Sequence, residues 1–520
     1  MQNALAGAGR AALASILITT ALLSACGGDS STNTPASAAE TVQLTEAASS
    51  DIAVLGQAPG VTPFIELVSF RGASLGKLAG VEFTIAPKPG SVSKPVDVWY
   101  SIAALTRRQY VSLDLTLLTL PVFGLYSGYN NQVSVQMQFQ DGSAQTLPVS
   151  VPTASYVDPS GIYASPTFVQ PRAAGSALGF DFFYMKSAIG SPVVVDTDGA
   201  IRWVVPGVAN ATSTTFQNGE FVIGSATAPT VYRLQLDGTM AQSTVAAPAY
   251  LEFHHNIDPG NRGLFAEFNT EINGVENVMA TVAEMDDTGA VLGQWDLAAI
   301  LTTYMQGQGD DPSLFVRPGI DWFHNNSSTY DPSDGSIIVS SRENFVIKID
   351  YQTGNIIWIL GDPTKYWYTF PSLRAKALTL APGGLYPIGQ HAVSIFSDGS
   401  LMLFNDGYAS TNEPAGAPSG ANRAYSAVSD FTIDTATMTA VNTWNFDYGE
   451  SIYSSICSSA YEANSQSILV NYAVADNGTE ARLVGLDSAH NVVFDFQYAT
   501  GSCDTSWNAV PIAFDNLQIN

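Results

Sequence analysis

Charge is scarce in this chain, and positive charge most of all. Only 13% of its 520 residues are charged, and 46 Asp and Glu face 20 Lys and Arg, for a formal net charge of −26. Such a chain repels phosphate backbones, so nucleic-acid binding is not expected. An anionic small molecule stays admissible if a local cluster of cations or donors receives it. Cysteine is nearly absent, with 3 residues, and no paired-Cys or HExxH motif supports a metal site. No P-loop, no GxGxxG following a strand and no GxSxG elbow occurs, so neither a nucleotide cofactor nor Ser-His-Asp hydrolysis is signalled. Helical periodicity is sparse: only Leu297 to Gln306 has an apolar helical period. The apolar run Ala11 to Leu23 is too short to span a membrane.

What is present is a sizeable core, with 46% hydrophobic residues. The N-terminus reads as an export signal. Arg10 supplies the positive charge, the apolar run follows, and Leu23-Ser24-Ala25-Cys26 matches a lipobox. Residues 1–25 are therefore expected to be a lipoprotein signal peptide, with a lipid on Cys26 as the only membrane attachment. The protein is expected to be exported, periplasmic or at the cell surface. An ordinary signal peptide cleaved near Ala25 is the alternative. Cys457 and Cys503 would be free to pair in an oxidising compartment or to remain as two buried thiols.

Residues 26–59 have no apolar period and read as a flexible tether. From 60 to 155 short strands alternate, as in Val81-Glu82-Phe83-Thr84-Ile85 and Val96-Asp97-Val98-Trp99-Tyr100, and Asp141-Gly142 marks a hairpin. This stretch suits an immunoglobulin-like β-sandwich. Beyond it, an acidic or glycine turn followed by an alternating strand recurs: Asp198 to Trp203, Asp237 onward, Asp287 to Trp295, Asp350 to Trp358, Asp434 to Trp444 and Asp487 to Phe496. The six copies predict an all-β chain whose residues 156–520 form a six-bladed β-propeller.

The chain has 5 histidines. Phe253-His254-His255-Asn256 echoes Phe323-His324-Asn325-Asn326, and Gln390-His391 opens a third such strand. Equivalent positions in different blades converge on the central channel, so these histidines are expected to meet. Side chains at i and i+2 share a strand face. His254 then points with Asn256, and His255 points away unless a bulge intervenes. Arg342 lies on the strand expected to pair with that of His324. A guanidinium there opposes a metal cation and favours a tetrahedral oxyanion, which needs fixed donors and a nucleophile. A neutral imidazole is such a nucleophile.

Asp321-Trp322-Phe323-His324-Asn325-Asn326-Ser327, Ser340-Ser341-Arg342, Trp358-Ile359-Leu360-Gly361 and Gly389-Gln390-His391-Ala392 resemble the bacterial arylsulfate sulfotransferase family. Pro121-Val122-Phe123-Gly124-Leu125-Tyr126 resembles that family's N-terminal sandwich. The resemblance implies a ping-pong transfer without the nucleotide donor PAPS: a phenolic sulfate ester gives its sulfuryl group to a histidine, and a phenol accepts it. It implies His391 as the nucleophile that becomes sulfohistidine. His324, Asn326 and Arg342 would hold the sulfuryl oxygens. A third histidine matches the His254-His255 pair, with alignment to Phe323-His324 favouring His254 and leaving His255 open. No cofactor or metal is implied. Some family members carry a cysteine pair before the nucleophile; here no cysteine lies between Cys26 and Cys457. Tyr366-Trp367-Tyr368 and Phe370 are candidates for a wall against an aromatic ring, with ordinary packing as the alternative. The rival functions are a sulfate or phosphate ester hydrolase with the same covalent histidine, and a non-catalytic propeller lipoprotein that binds glycans or partners.

Overall fold

Alternation along short strands builds the N-terminal domain in the computed structural model, which describes residues 51–245 and 249–520. Val81, Phe83 and Ile85 are fully buried on one face of Leu78–Ile85, which pairs antiparallel with Val96–Ser101 and Asn130–Phe139. The expected hairpin at Asp141-Gly142 joins Asn130–Phe139 to Ala144–Pro152, with Gly142 at φ 83°. A second sheet of Ala53–Pro59, Ile65–Arg71 and Leu117–Phe123 completes the sandwich. The lipobox with Cys26 and the tether up to residue 50 lie outside the described residues. Among the described residues, no helix is long and apolar enough to cross a membrane.

Two expected boundaries move. Ala53–Pro59, assigned to the tether, is an edge strand paired with Ile65–Arg71. All seven of its residues are exposed, so it carries no apolar alternation to mark it. Leu517–Ile519, assigned to the propeller, pairs parallel with Val96–Ser101 and so completes the first domain.

Beyond residue 155 the chain forms a β-propeller, in which six further sheets of four or five strands follow one another. Each of the six repeated turns leads into the fourth strand of one sheet, from Ile201–Trp203 in the first to Val492–Ala499 in the last. The four strong copies place Gly199, Gly238, Gly289 and Gly354 at φ between 69° and 89°, where a Cβ is disfavoured. The two weak copies seat Met438 and His490 there instead, at φ 53° and 62°. The ring closes by exchange of ends. Asn508–Pro511 pairs with Phe182–Lys186 of the first sheet, and Thr167–Gln170 pairs with Val492–Ala499 of the last. Pairing N- and C-terminal strands across the closure leaves neither sheet with an open seam. The predicted helix is present as Leu297–Gly307, its first turn capped by the Asp296 carboxylate.

The strands Tyr250–Pro259, Asn325–Asp331 and His391–Ile395 each begin a sheet and lie against one another. His254 and His255 lie within the first of these strands, His324 immediately precedes the second, and His391 opens the third. Tyr366, Trp367, Tyr368 and Phe370 belong to the core with Phe315, Trp322 and Phe345. Trp367 is buried there, and Tyr366, Tyr368 and Phe370 are partly buried against it.

Candidate active site

Three histidines converge, and backbone irregularity decides which three. One ring nitrogen from each of His255, His324 and His391 lies within 4.8 Å of the other two. The His255 ring is 4.7 Å from that of His324 and 6.2 Å from that of His391. The strand Tyr250–Pro259 has a bulge between His254 and Ile257 opposite Glu267 and Ala266. His255 takes φ 54° within it, and His324 takes φ 55°. The left-handed residue therefore falls one position later than alignment with Phe323-His324 suggests. Since one residue of slip exchanges the faces of a strand, His255 enters the site and His254 stands behind it, Nδ1 to Nδ1 at 3.0 Å. This corrects the preference for His254.

Each site histidine is held from behind. His391 Nδ1 lies 3.0 Å from Gly389 O and 2.5 Å from Asp406 Oδ2. A carbonyl accepts only, so Nδ1 carries the proton and Nε2 keeps its lone pair. Gly389 is at φ 64°, and a Cβ there would stand 2.6 Å from Tyr408 O, so the residue that orients His391 admits no side chain. His324 Nδ1 lies 2.6 Å from Asp321 Oδ2. Burial, then the neighbouring His324 and Arg342, holds the His391 pKa well below the usual imidazole range, so its ring is neutral at neutral pH. Burial does the same to His255, and it pushes His254 down to about 3. Burial raises the Asp406 carboxyl well above its usual range, against the opposing pull of Arg342 and Arg423.

Arg342, expected on the strand that pairs with Asn325–Asp331, lies one residue past the end of that strand, Ser336–Ser341, and its backbone N–H donates to His324 O at 3.0 Å. Its guanidinium lies 5.2 Å from the Tyr408 ring centre and forms a very short ion pair with the buried Glu343. Glu343 Oε2 also accepts from Thr411 N at 2.7 Å and Asn412 N at 3.0 Å. Asn412 Nδ2 donates to Asp321 O at 2.7 Å. The loop after Asn405 is thus tied to both the Arg342 side and the His324 side. Asn326, expected to hold sulfuryl oxygens, is 1% exposed, and its Nδ2 donates to Gln390 O at 2.8 Å. It fixes the strand that carries His391. Asn256 makes the same bond one strand earlier, to Asn326 O at 3.2 Å.

Sequence reasoning missed Asp406 and Glu343. Asp321 stood in a quoted motif without a role. Asp406 is marked only by its contact with His391, fifteen residues away in the chain, and Glu343 only by its ion pair with Arg342 and its bonds to the 411–412 backbone. The three histidines are also the group among the described residues that can hold a cation. Carboxylates behind two of them would suit one, whereas the Arg342 guanidinium opposes it.

The family model "Arylsulfotransferase (ASST)" matches residues 171–508, and "Arylsulfotransferase Ig-like domain" matches residues 61–154. The chain belongs to the arylsulfotransferase family. A curated relative, "Arylsulfate sulfotransferase AssT" of Escherichia coli O6:H1, is 28% identical over 229 residues, 35% of this chain and 38% of that protein. The match thus spans about two fifths of the relative's length. Two solved structures show likeness of fold alone. The β-propeller domain of Cps50 (Swd1) from Myceliophteria thermophila has a TM-score of 0.34 at 11% identity, over 63% of this chain and 87% of that one. A europium-containing methanol dehydrogenase has a TM-score of 0.33 at 11% identity, over 71% and 75%. The first family match contains all the site residues of this arylsulfotransferase-family chain, from His254 to Asp406.

Proposed function

We propose that this protein, on a six-bladed propeller, moves a sulfuryl group from a phenolic sulfate ester to a phenol without PAPS. The observation that carries the reading is His391: a neutral imidazole with Nδ1 fixed by Gly389 and Asp406, opposed by His255, His324 and Arg342. In the first half-reaction the Nε2 lone pair bonds to sulfur. The bond between sulfur and the aryl oxygen breaks, and its electrons leave on the phenolate. The His391 ring gains positive charge, which the Asp406 carboxylate stabilises through Nδ1–H. Arg342 and the inward Nε2–H of His255 donate to the sulfuryl oxygens, where charge is spread in the transition state, while His324, with Nδ1–H on Asp321, keeps an Nε2 lone pair facing the site. With the shared proton of the histidine pair on His254 Nδ1, His255 presents Nε2–H inward. In the second half-reaction the acceptor oxygen bonds to sulfur and the bond from sulfur to nitrogen breaks. The phenol proton passes to the Nε2 lone pair of His324, and Asp321 stabilises the charge that ring gains. Asn326 orients the His391 strand. Export, with a lipid on Cys26, is part of the same proposal.

Incubation with 4-nitrophenyl sulfate, with and without added phenol, tests this. Nitrophenol release should depend on phenol and be matched by phenyl sulfate. Release of free sulfate at the same rate without phenol would instead make the protein a hydrolase.

A further inference from the structure

Two residues of the strand Tyr250–Pro259 have no partner in the ladder. His254 pairs with Glu267 and Ile257 with Ala266, so His255 and Asn256 bulge between them. A bulge leaves backbone N–H groups that the neighbouring strand does not receive, and a buried one needs another acceptor. For Asn256 that acceptor is a side chain: its N–H donates to Glu267 Oε2 at 3.0 Å. Glu267 is fully buried on the strand Leu264–Ile272. Its other oxygen, Oε1, lies 2.7 Å from Ser328 Oγ, on the strand Asn325–Asp331 that His324 precedes. One carboxyl group thus joins the backbone beside His255 to the strand beside His324, and the two rings stand 4.7 Å apart.

The side chain of Asn256 is fastened as well. Its Oδ1 accepts from the buried Lys186 Nζ at 2.7 Å, and its Nδ2 donates to Asn326 O at 3.2 Å. The left-handed His255, at φ 54°, sits between the paired His254 and the fastened Asn256. Trp507, packed with the Cys457–Cys503 disulfide, closes on the His255 ring at 5.3 Å. Burial, then the neighbouring Asp258, pushes the Glu267 pKa well above the usual carboxylate range. The neutral acid is favoured, so the group supplies hydrogen bonds rather than charge, and glutamine is its conservative substitute.

We propose that Glu267 is a positioning residue: by receiving the Asn256 N–H and holding Ser328, it sets the bulge that turns His255, and not His254, toward His391. Without that acceptor the strand relaxes toward the other register, and one residue of slip exchanges the faces of adjacent side chains. The effect on rate rests on the sulfuryl-transfer reading, and the placement of the ring does not. Glu267→Met keeps the length of the side chain and removes both hydrogen bonds. The burst of phenolate from an aryl sulfate should fall about ten- to a hundredfold in Glu267→Met and stay within about threefold in Glu267→Gln. A double-mutant cycle supplies a readout that a merely structural role would not move. On a His255→Ala background Glu267→Met should cost no more than about twofold, because a residue acting through His255 has nothing left to place. Ser328→Ala frees Glu267 from the strand beside His324. It should lose about threefold, absorbed in the same way, and it carries the test if Glu267→Met does not fold. In the full-length protein labelled with 15N-histidine, NMR should show the His255 and His324 ring signals shifted in both variants. The signal of His490, whose ring lies 4.0 Å from that of Trp444, should stay in place. Additive losses in the cycle, or His255 signals that do not move, would overturn the positioning role. Absence of any transfer by the unaltered protein would overturn the sulfuryl-transfer reading instead, and the NMR would still decide Glu267.

Discussion

Replacing Asp406 with asparagine keeps the shape behind His391 and removes only the charge. In the unaltered protein Nδ1–H of His391 is shared between Gly389 O and Asp406 Oδ2. The ring is neutral before sulfuryl transfer and gains positive charge as its Nε2 bonds to sulfur. Asp406 therefore stabilises the transition state more than the ground state, and its loss should appear in kcat. A hydrogen bond to a charged group contributes about 1.5–3 kcal/mol, and about 1.4 kcal/mol is tenfold in rate. Asp406→Asn should lose one to two orders of magnitude in the burst of phenolate release, measured by stopped flow with an aryl sulfate. The pH profile gives a second readout. Burial raises the Asp406 carboxyl well above its usual range. The ionised form is the one that assists, so the rate should fall as pH drops through that raised value, and the asparagine variant should lack this limb. A burst within twofold of the unaltered protein, or an acid limb that persists in Asp406→Asn, would refute the reasoning.

Arg342→Lys keeps a cation beside the buried Glu343 but loses the planar fork, so turnover should fall by about ten- to a hundredfold with little change in Tm. Arg342→Ala strips Glu343 of its cation and should lower Tm markedly in the same thermal scan. His254 is buried with its pKa lowered to about 3. A lowered histidine pKa means that the unfolded chain binds the extra proton, so His254 costs stability as pH falls below about 6.5, by about 1.4 kcal/mol per pH unit. The stability of His254→Asn relative to the unaltered protein should therefore rise by about 2 kcal/mol between pH 7.5 and pH 5, read by denaturant unfolding at each pH. Because Arg342 opposes a cation among the three histidines, dialysis against a chelator should leave sulfuryl transfer unchanged, and metal analysis should find well under one equivalent.

The features legible in the sequence are those fixed by local chemistry. The six acidic or glycine turns became six hairpins because the left-handed φ at Gly199, Gly238, Gly289 and Gly354 is a local demand. Ala53–Pro59 escaped because an exposed edge strand needs backbone partners and no apolar face. Leu517–Ile519 escaped because its partner lies some four hundred residues earlier in the chain. The convergence of the histidines was readable from the echoes of Phe-His-Asn, but the choice of His255 was not. It depends on a bulge opposite Glu267 and Ala266, which alternation cannot register. Asp406 was hidden among 46 acidic residues, and nothing local distinguishes it until the strand Leu401–Asn405 pairs with His391–Ile395.

The central claim is that His391 carries the sulfuryl group between donor and acceptor. The measurement is a millisecond quench of the protein with an aryl sulfate and no acceptor, at alkaline pH, followed by peptide mass spectrometry. The account predicts one sulfuryl adduct, on His391, that vanishes when phenol is added before the quench and is missing from His391→Ala. An adduct on another residue, or full transferase activity in His391→Ala, would contradict it.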